Sequence, residues 1–197
     1  MDNNNKLLKR ALNYFKYNQT SYKEDLAFLV DFQIIEKLIQ IAKIGPRDRV
    51  LEIGPGLGFI TKALAKKAKH VLGVEIDRGF KIYLSNLDNN VDIFFQDIRK
   101  LLQDETFLKR TKVPTKVVSN IPYSQAQDIL LAFAKSKWYK GDLVWIAPTS
   151  FADKINHEPI LSKYFKAAVI EKIPNTAFYP QPNTDSAIIH FHRLPIS

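Results

Sequence analysis

Apolar positions along this chain fall into two rhythms. The run "FQIIEKLIQIAKI" (32–44) places Ile34, Ile35, Leu38, Ile41 and Ala42 on one helical stripe, and Asp31 stands where an N-cap is wanted. "IGPRD" breaks that helix. Beyond it, short apolar runs alternate with amphipathic ones. Strands are expected near 49–53, 70–75, 91–95, 115–119 and 142–147, and helices near 59–68, 79–87, 124–136 and 149–156. Strands that are apolar throughout, each followed by a helix, predict an α/β fold with a mostly parallel sheet covered on both faces. The tail changes rhythm. "KAAVIEKIP" and "SAIIHFHRL", joined by the proline-rich "NTAFYPQPNTD", read as an antiparallel C-terminal hairpin on the sheet edge.

Three strings at expected strand ends carry candidate chemistry. "LEIGPGLGFIT" (Leu51–Thr61) closes one strand with Gly54, Gly56 and Gly58 and then opens an amphipathic segment. Glycines belong where a strand turns sharply into a helix while its backbone passes close to a ligand. The next apolar run, "HVLGVE", ends on Glu75. An acid about twenty residues past such glycines can accept hydrogen bonds from both ribose hydroxyls of a nucleoside. "SNIPYSQ" (Ser119–Gln125) sets Asn120 beside Pro122 and Tyr123. A neutral amide there can hold the amino group of a planar base without being a charged acid or base. A nucleoside cofactor beside an amine acceptor implies methyl transfer.

Composition narrows the setting. With 197 residues the chain suits one α/β domain, here taken as 25–197, preceded by a basic and aromatic segment, 1–24. No apolar run approaches a membrane span and "MDNNNKLLKR" has no secretory h-region, which points to the cytoplasm. Zero cysteines exclude disulfides, thiolate metal sites and cysteine nucleophiles. A net charge of +9 suggests a polyanionic partner. Residues 1–24 carry Lys6, Lys9, Arg10, Lys16 and Lys23 against Asp2 and Glu24, interleaved with Tyr14, Phe15, Tyr17 and Tyr22. That mixture suits a strand of RNA, and a helix packing its aromatics on the domain would carry the same pattern. Lys62, Lys66, Lys67 and Lys69 read as a solvated helix face, and Lys109, Arg110 and Lys112 as a basic loop. His190 and His192 alternate on one strand without a third ligand spaced near them, so no metal is expected.

The blocks "FLVD" (Phe28–Asp31), "EIGPGLGFIT", "VEIDR", "QDI" (Gln96–Ile98), "NIPY" and "AFYPQPNTDSAI" (Ala177–Ile188) follow one another across residues 25–193. On these blocks the chain resembles the rRNA adenine N6-(di)methyltransferases, the KsgA and Erm group. The resemblance implies the class I, Rossmann-like, S-adenosylmethionine-dependent methyltransferase fold. It also implies N6-methylation or dimethylation of adenine by a monomer acting on ribosomal RNA or an immature ribosomal subunit. In that family likeness the backbone around Gly54 and Gly56 faces the amino-acid part of S-adenosylmethionine, and Glu75 faces its ribose. Asp97 takes the adenine amino group, with Ile76 and Ile98 flanking the ring and Glu52 near the cofactor. Asn120 and a carbonyl of Ile121 or Pro122 accept the two hydrogens of the target N6, and Tyr123 stacks on the flipped-out adenine. Phe178 stacks on its other face or closes the pocket edge. Two bland readings stand beside these: Asp97 as a cap of the following turn, and Phe178 as a buried anchor of the hairpin.

The chain departs from the family pattern in places. Leu26 and Ala27 stand where the family carries Gln followed by Asn or His, which leaves backbone contacts around Ala27 and Leu29 to serve the cofactor. Ser124, Gln125 and Ala126 follow "NIPY", and "APTSFADKI" follows the fifth strand. The family's helical carboxy-terminal domain has no counterpart in the sequence. Two other functions share these features: an N-methyltransferase acting on a small amine or phospholipid headgroup, and a non-catalytic RNA-binding relative.

Overall fold

The computed structural model describes residues 3–17, 26–107 and 111–195, so Asp2, Tyr22, Lys23, Glu24, Lys109 and Arg110 lie outside the described residues. Asp31 caps a helix as its position suggests, accepting the Gln33 amide at 2.9 Å. The helix it opens, α2 (Phe32–Ile41), buries Ile35, Leu38 and Ile39. The apolar runs become β2 (Arg49–Ile53), β3 (His70–Glu75), β4 (Val91–Phe95), β5 (Lys116–Asn120) and β6 (Leu143–Pro148), all parallel to one another. Between β2 and β3 lies α3 (Phe59–Ala65), and after β5 comes the helix Tyr123–Ala134. The segment expected to be helical near 79–87 is shorter, a 3-10 turn at Arg78–Phe80 leading into Lys81–Leu84. The sequence "SNLDNN" explains the early stop, because short polar side chains compete for the backbone groups a helix needs. One of them, Asn90, turns its Nδ2 to the carbonyls of Ala65 and Ala68 at 2.9 and 3.2 Å and closes the end of α3.

The seven-stranded sheet runs β4-β3-β2-β5-β6-β9-β7. The tail does form antiparallel strands, β7 (Phe165–Ile173) and β9 (Ser186–Arg193), with β9 inserted between β6 and the edge strand β7. Successive residues of each inner strand face opposite sides. Val50 joins the apolar cluster under α2 and α3, whereas Leu51 joins the cluster around Phe133, Trp145 and Phe191. By the same alternation Glu52 points into the α2/α3 side, a core-facing position occupied by an acid. His190 and His192 converge on Asp142 at 2.9 and 3.1 Å, and the same carboxylate accepts the Arg193 amide at 2.8 Å. Among the described residues no group of three or more His, Asp or Glu is placed to hold a metal, and no helix is long and apolar enough to cross a membrane.

Two features had no periodic signal. The first is a two-stranded sheet in which β1 (Phe28–Leu29) pairs antiparallel with β8 (Phe178–Tyr179). The second is the seat of α1 (Asn3–Tyr17). Its Ala11, Tyr14 and Phe15 are buried in the same cluster as α2 and α3, while Lys6, Lys9 and Lys16 stay exposed. Tyr14 stacks on Phe80 with ring centres 5.2 Å apart and meets Phe28 edge-on at 5.3 Å. Phe28 and Phe80 are wall residues of the cleft described below. Tyr14→Ala should therefore lower unfolding free energy by about 3–5 kcal/mol, the range for emptying a large buried aromatic site, and weaken ligand binding in the cleft with it. Urea denaturation and calorimetry on the variant measure both; a loss below about 1 kcal/mol would contradict this packing role.

Candidate active site

The strand order reverses between β2 and β5. The chain leaves β2 toward β3 and β4, then returns to build β5 and β6 on the other side. Loops at such a point diverge and open a crevice at the carboxyl ends of the strands. A cleft of about 1220 Å³, its open mouth included, lies there. Its walls include Ala27, Leu29, Glu52, Gly54, Gly56, Glu75, Ile76, Asp97, Ile98, Asn120, Ile121, Pro122, Tyr123 and Phe178. The residues that the family likeness assigns to cofactor and target adenine thus line one space, while Gly58 lies outside it. Phe28, Phe59 and Phe80, which sequence reasoning passed over, line it too.

The loop after β2 owes its shape to glycine. Gly54 and Gly56 have φ of 66° and 55°, a left-handed conformation that residues with a Cβ resist. At Gly56 a Cβ would also sit 3.1 Å from the Phe28 ring. Glu75 fixes the loop from below: its Oε2 accepts the Gly56 amide at 3.0 Å and its Oε1 accepts the Asp77 amide at 2.9 Å. Burial raises the Glu75 carboxyl above the ordinary range, and those backbone donors pull it back. Each oxygen keeps one lone pair for a further donor.

Glu52 is different. It is buried, and its Oε2 has no hydrogen-bond partner among the described residues. Burial pushes its carboxyl up to about 8, and the neighbouring Thr61 acts in the opposite direction without reversing the shift. At neutral pH this group largely keeps its proton.

Asp97 combines both readings made of it. It lines the cleft, and it also caps the helical turn Ile98–Leu101 by accepting the Arg99 amide at 2.9 Å. The Arg99 guanidinium grips the same carboxylate, with Nη2 2.7 Å from Oδ2, and holds it below its usual pKa against the opposing effect of burial. Of the two candidates flanking an adenine, Ile98 is buried and Ile76 is 53% exposed.

On the other side of the cleft Asn120 ends β5. Its Nδ2 donates to the Ala27 carbonyl at 3.3 Å, which fixes the sense of the amide and leaves Oδ1 as the acceptor end. Ser119, one residue earlier, donates its hydroxyl to the Ile53 carbonyl at 2.9 Å and so ties the ends of β5 and β2 together. The Pro122 carbonyl accepts the Gln125 amide at 3.0 Å and has a second lone pair. Tyr123 is half-buried, its hydroxyl bonded to that of Ser186 on β9 at 2.5 Å. Phe178 is buried, pairs with Leu29 across the small sheet, and still borders the cleft. Its two readings, anchor and wall, are compatible.

A sheet in this order, a left-handed glycine loop after the first parallel strand and an acid ending the second define a class I, Rossmann-like methyltransferase domain. The ribosomal RNA adenine dimethylase family profile matches residues 16–195, and the chain belongs to that family. It is 34% identical to ribosomal RNA small subunit methyltransferase A of Clostridioides difficile, over 84% of this chain and 62% of that one. Its identity to the protein of the same name from Enterococcus faecalis is 33%, over 93% of this chain and 68% of that one. The chain therefore spans under two thirds of the length of the Clostridioides difficile relative. The solved structure of the 23S rRNA methyltransferase ErmE superposes with a TM-score of 0.68 at 25% identity, covering 85% of this chain and 70% of that one. A dimethyladenosine transferase from Plasmodium falciparum shares the fold, with a TM-score of 0.66 at 24% identity over 83% and 62% of the respective chains.

Glu52 makes stability depend on pH. Its carboxyl sits at about 8 when folded against 4.5 for the free group. Between those values the folded chain holds a proton that the unfolded chain has lost, so stability present at low pH is withdrawn as pH rises. Glu52→Gln cannot ionise. Its melting temperature relative to the parent should climb by roughly 2–4 °C for each kcal/mol recovered between pH 5 and 8.5. Thermal scans at both pH values test this, and a constant offset would contradict it.

Proposed function

We propose that this chain transfers methyl groups from S-adenosylmethionine to the N6 atom of an adenine in ribosomal RNA. The observation that carries this reading is the placement of Asn120, an amide of fixed sense across one cleft from Glu75 and Asp97. The cleft suits the cofactor on its own terms. Its glycine loop brings backbone close without side chains, Glu75 retains acceptor capacity for ribose hydroxyls, and Glu52 Oε2 is a buried polar atom without a partner among the described residues. The names borne by the relatives and the family profile support the same substrate class.

When bound, S-adenosylmethionine supplies an activated methyl on its sulfonium. The chain's own residues supply orientation. The lone pair of an adenine N6 is delocalised into the ring, which makes it a poor nucleophile. Asn120 Oδ1 and the carbonyl of Ile121 or Pro122 accept its two hydrogens and favour a pyramidal nitrogen aimed across the cleft. Tyr123, its hydroxyl tied to Ser186, and Phe178 present aromatic faces to the unstacked base. The exposed lysines of α1 supply positive charge for phosphate contacts that position without specifying sequence.

Incubation with labelled S-adenosylmethionine and immature ribosomal subunits, naked ribosomal RNA or lipid vesicles tests the reading. Label on adenine N6 in RNA is expected; label on lipid headgroups, or calorimetry without S-adenosylmethionine binding, would overturn it. Asn120→Ala should lower turnover roughly 10²-fold or more while changing cofactor affinity less than about 3-fold, since the contact matters chiefly in the transition state. Equal turnover of variant and parent would remove Asn120 from the mechanism.

A further inference from the structure

Arg99 belongs to no sequence motif, yet it makes the most extensive side-chain contact around the cleft. Its Nε lies 3.0 Å from Asp97 Oδ1 and 3.1 Å from Oδ2, its Nη2 lies 2.7 Å from Oδ2, and its backbone amide donates to Oδ1 at 2.9 Å. Gln96, Asp97 and Ile98 line the cleft, and the guanidinium grips the carboxylate from behind that wall. Its far edge faces Asp128 Oδ2 at 3.9 Å, on the helix that "NIPY" opens. Side-chain exposure is 18% for Asp97 and 40% for Arg99, so the pair is partly screened rather than buried.

We infer that Arg99 is a positioning residue that sets the cleft's preference for a 6-amino over a 6-oxo purine nucleoside, by pinning the Asp97 carboxylate in one plane as a pure acceptor. A carboxylate offers about four lone-pair sites. Three N–H groups meet it: the Arg99 amide on Oδ1, Nη2 on Oδ2, and Nε shared between the two oxygens. Acceptor capacity for about one further donor remains. A 6-amino group supplies it. A 6-oxo group brings its own lone pairs against the carboxylate, which the guanidinium holds in place. Without the guanidinium only the backbone amide of residue 99 holds the carboxylate, which can then tilt about its χ2 bond and accept the N1–H that a 6-oxo purine carries. Lysine in its place would keep the charge and lose the planar fork.

The inference rests on the cofactor reading through Asp97, and one binding experiment separates the two. Calorimetry with S-adenosylhomocysteine and with S-inosylhomocysteine, which differ in the 6-substituent, gives an affinity ratio for each protein. The parent should favour the adenine ligand at least about 10-fold, the scale of one directed hydrogen bond lost and one acceptor clash gained. Arg99→Met should cut that ratio by about 5-fold or more, and Arg99→Lys should fall between. A ratio is taken within one protein, so a general loss of stability does not mimic the effect. Should Arg99→Met not fold, Arg99→Lys alone decides, an intermediate ratio supporting the role and a parental one overturning it. A parental ratio in Arg99→Met overturns the role of Arg99. A ratio near one in the parent overturns the assignment of Asp97 to adenine.

Discussion

Two acids sunk side by side under the loop that follows β2 impose most of the geometry around the cleft. Glu75 is compensated: two backbone amides, from Gly56 and Asp77, meet its two oxygens. Those bonds draw the loop after β2 and the turn after β3 onto one carboxylate. Glu52 lies on the same face of the sheet and lacks that compensation, and burial holds its proton in place. Two adjacent buried carboxylates could not both carry full charge in so apolar a setting. The glycine turn that creates the cleft is thus held by the backbone bonds of Glu75 and tolerates Glu52 because that acid is neutral.

A second constraint reaches the cleft from the rear. The rings of Tyr14, Phe28, Phe59 and Phe80 form one contiguous packing from α1 to the cleft wall. Arg10 reaches across it to the Tyr83 carbonyl at 3.1 Å, its guanidinium over the rings of Phe59 and Tyr83. One helix therefore serves the core with its aromatic face and presents lysines with the other. The two readings of the amino-terminal segment as charged arm and packed helix describe opposite faces of α1.

The sequence was legible wherever a local rule applied. Apolar runs located the parallel strands, glycine spacing located the left-handed turn, and Asp31 announced its helix. The glycines, Glu75 and Asn120 could be chosen because each stood at the carboxyl end of an expected strand, where an α/β fold gathers them, and the other cleft residues came with the family resemblance. What escaped depended on partners distant in sequence. β1 and β8 are two residues each, too short for any alternation to show. The hold of Arg99 on Asp97 joins positions two apart in a helical turn, a spacing that a helical face does not flag. The sense of the Asn120 amide rests on the carbonyl of Ala27, the residue just before β1 and 93 positions away in sequence.

The insertion of β9 between β6 and β7 carries a consequence for the order of assembly. β7 emerges from the ribosome before β9, yet its described pairing in the sheet is to β9. Until residues 186–193 are available, β6 has one unpaired flank and β7 has nothing to pair with. A strand made after both of its neighbours is therefore the one that joins them in the sheet, a long-range step of the kind that slows folding and leaves a strand edge open to unwanted pairing. Ser186, first residue of that strand, is also the partner of the Tyr123 hydroxyl. Pairing of β9 and the hydroxyl contact that holds Tyr123 at the cleft wall therefore arrive together.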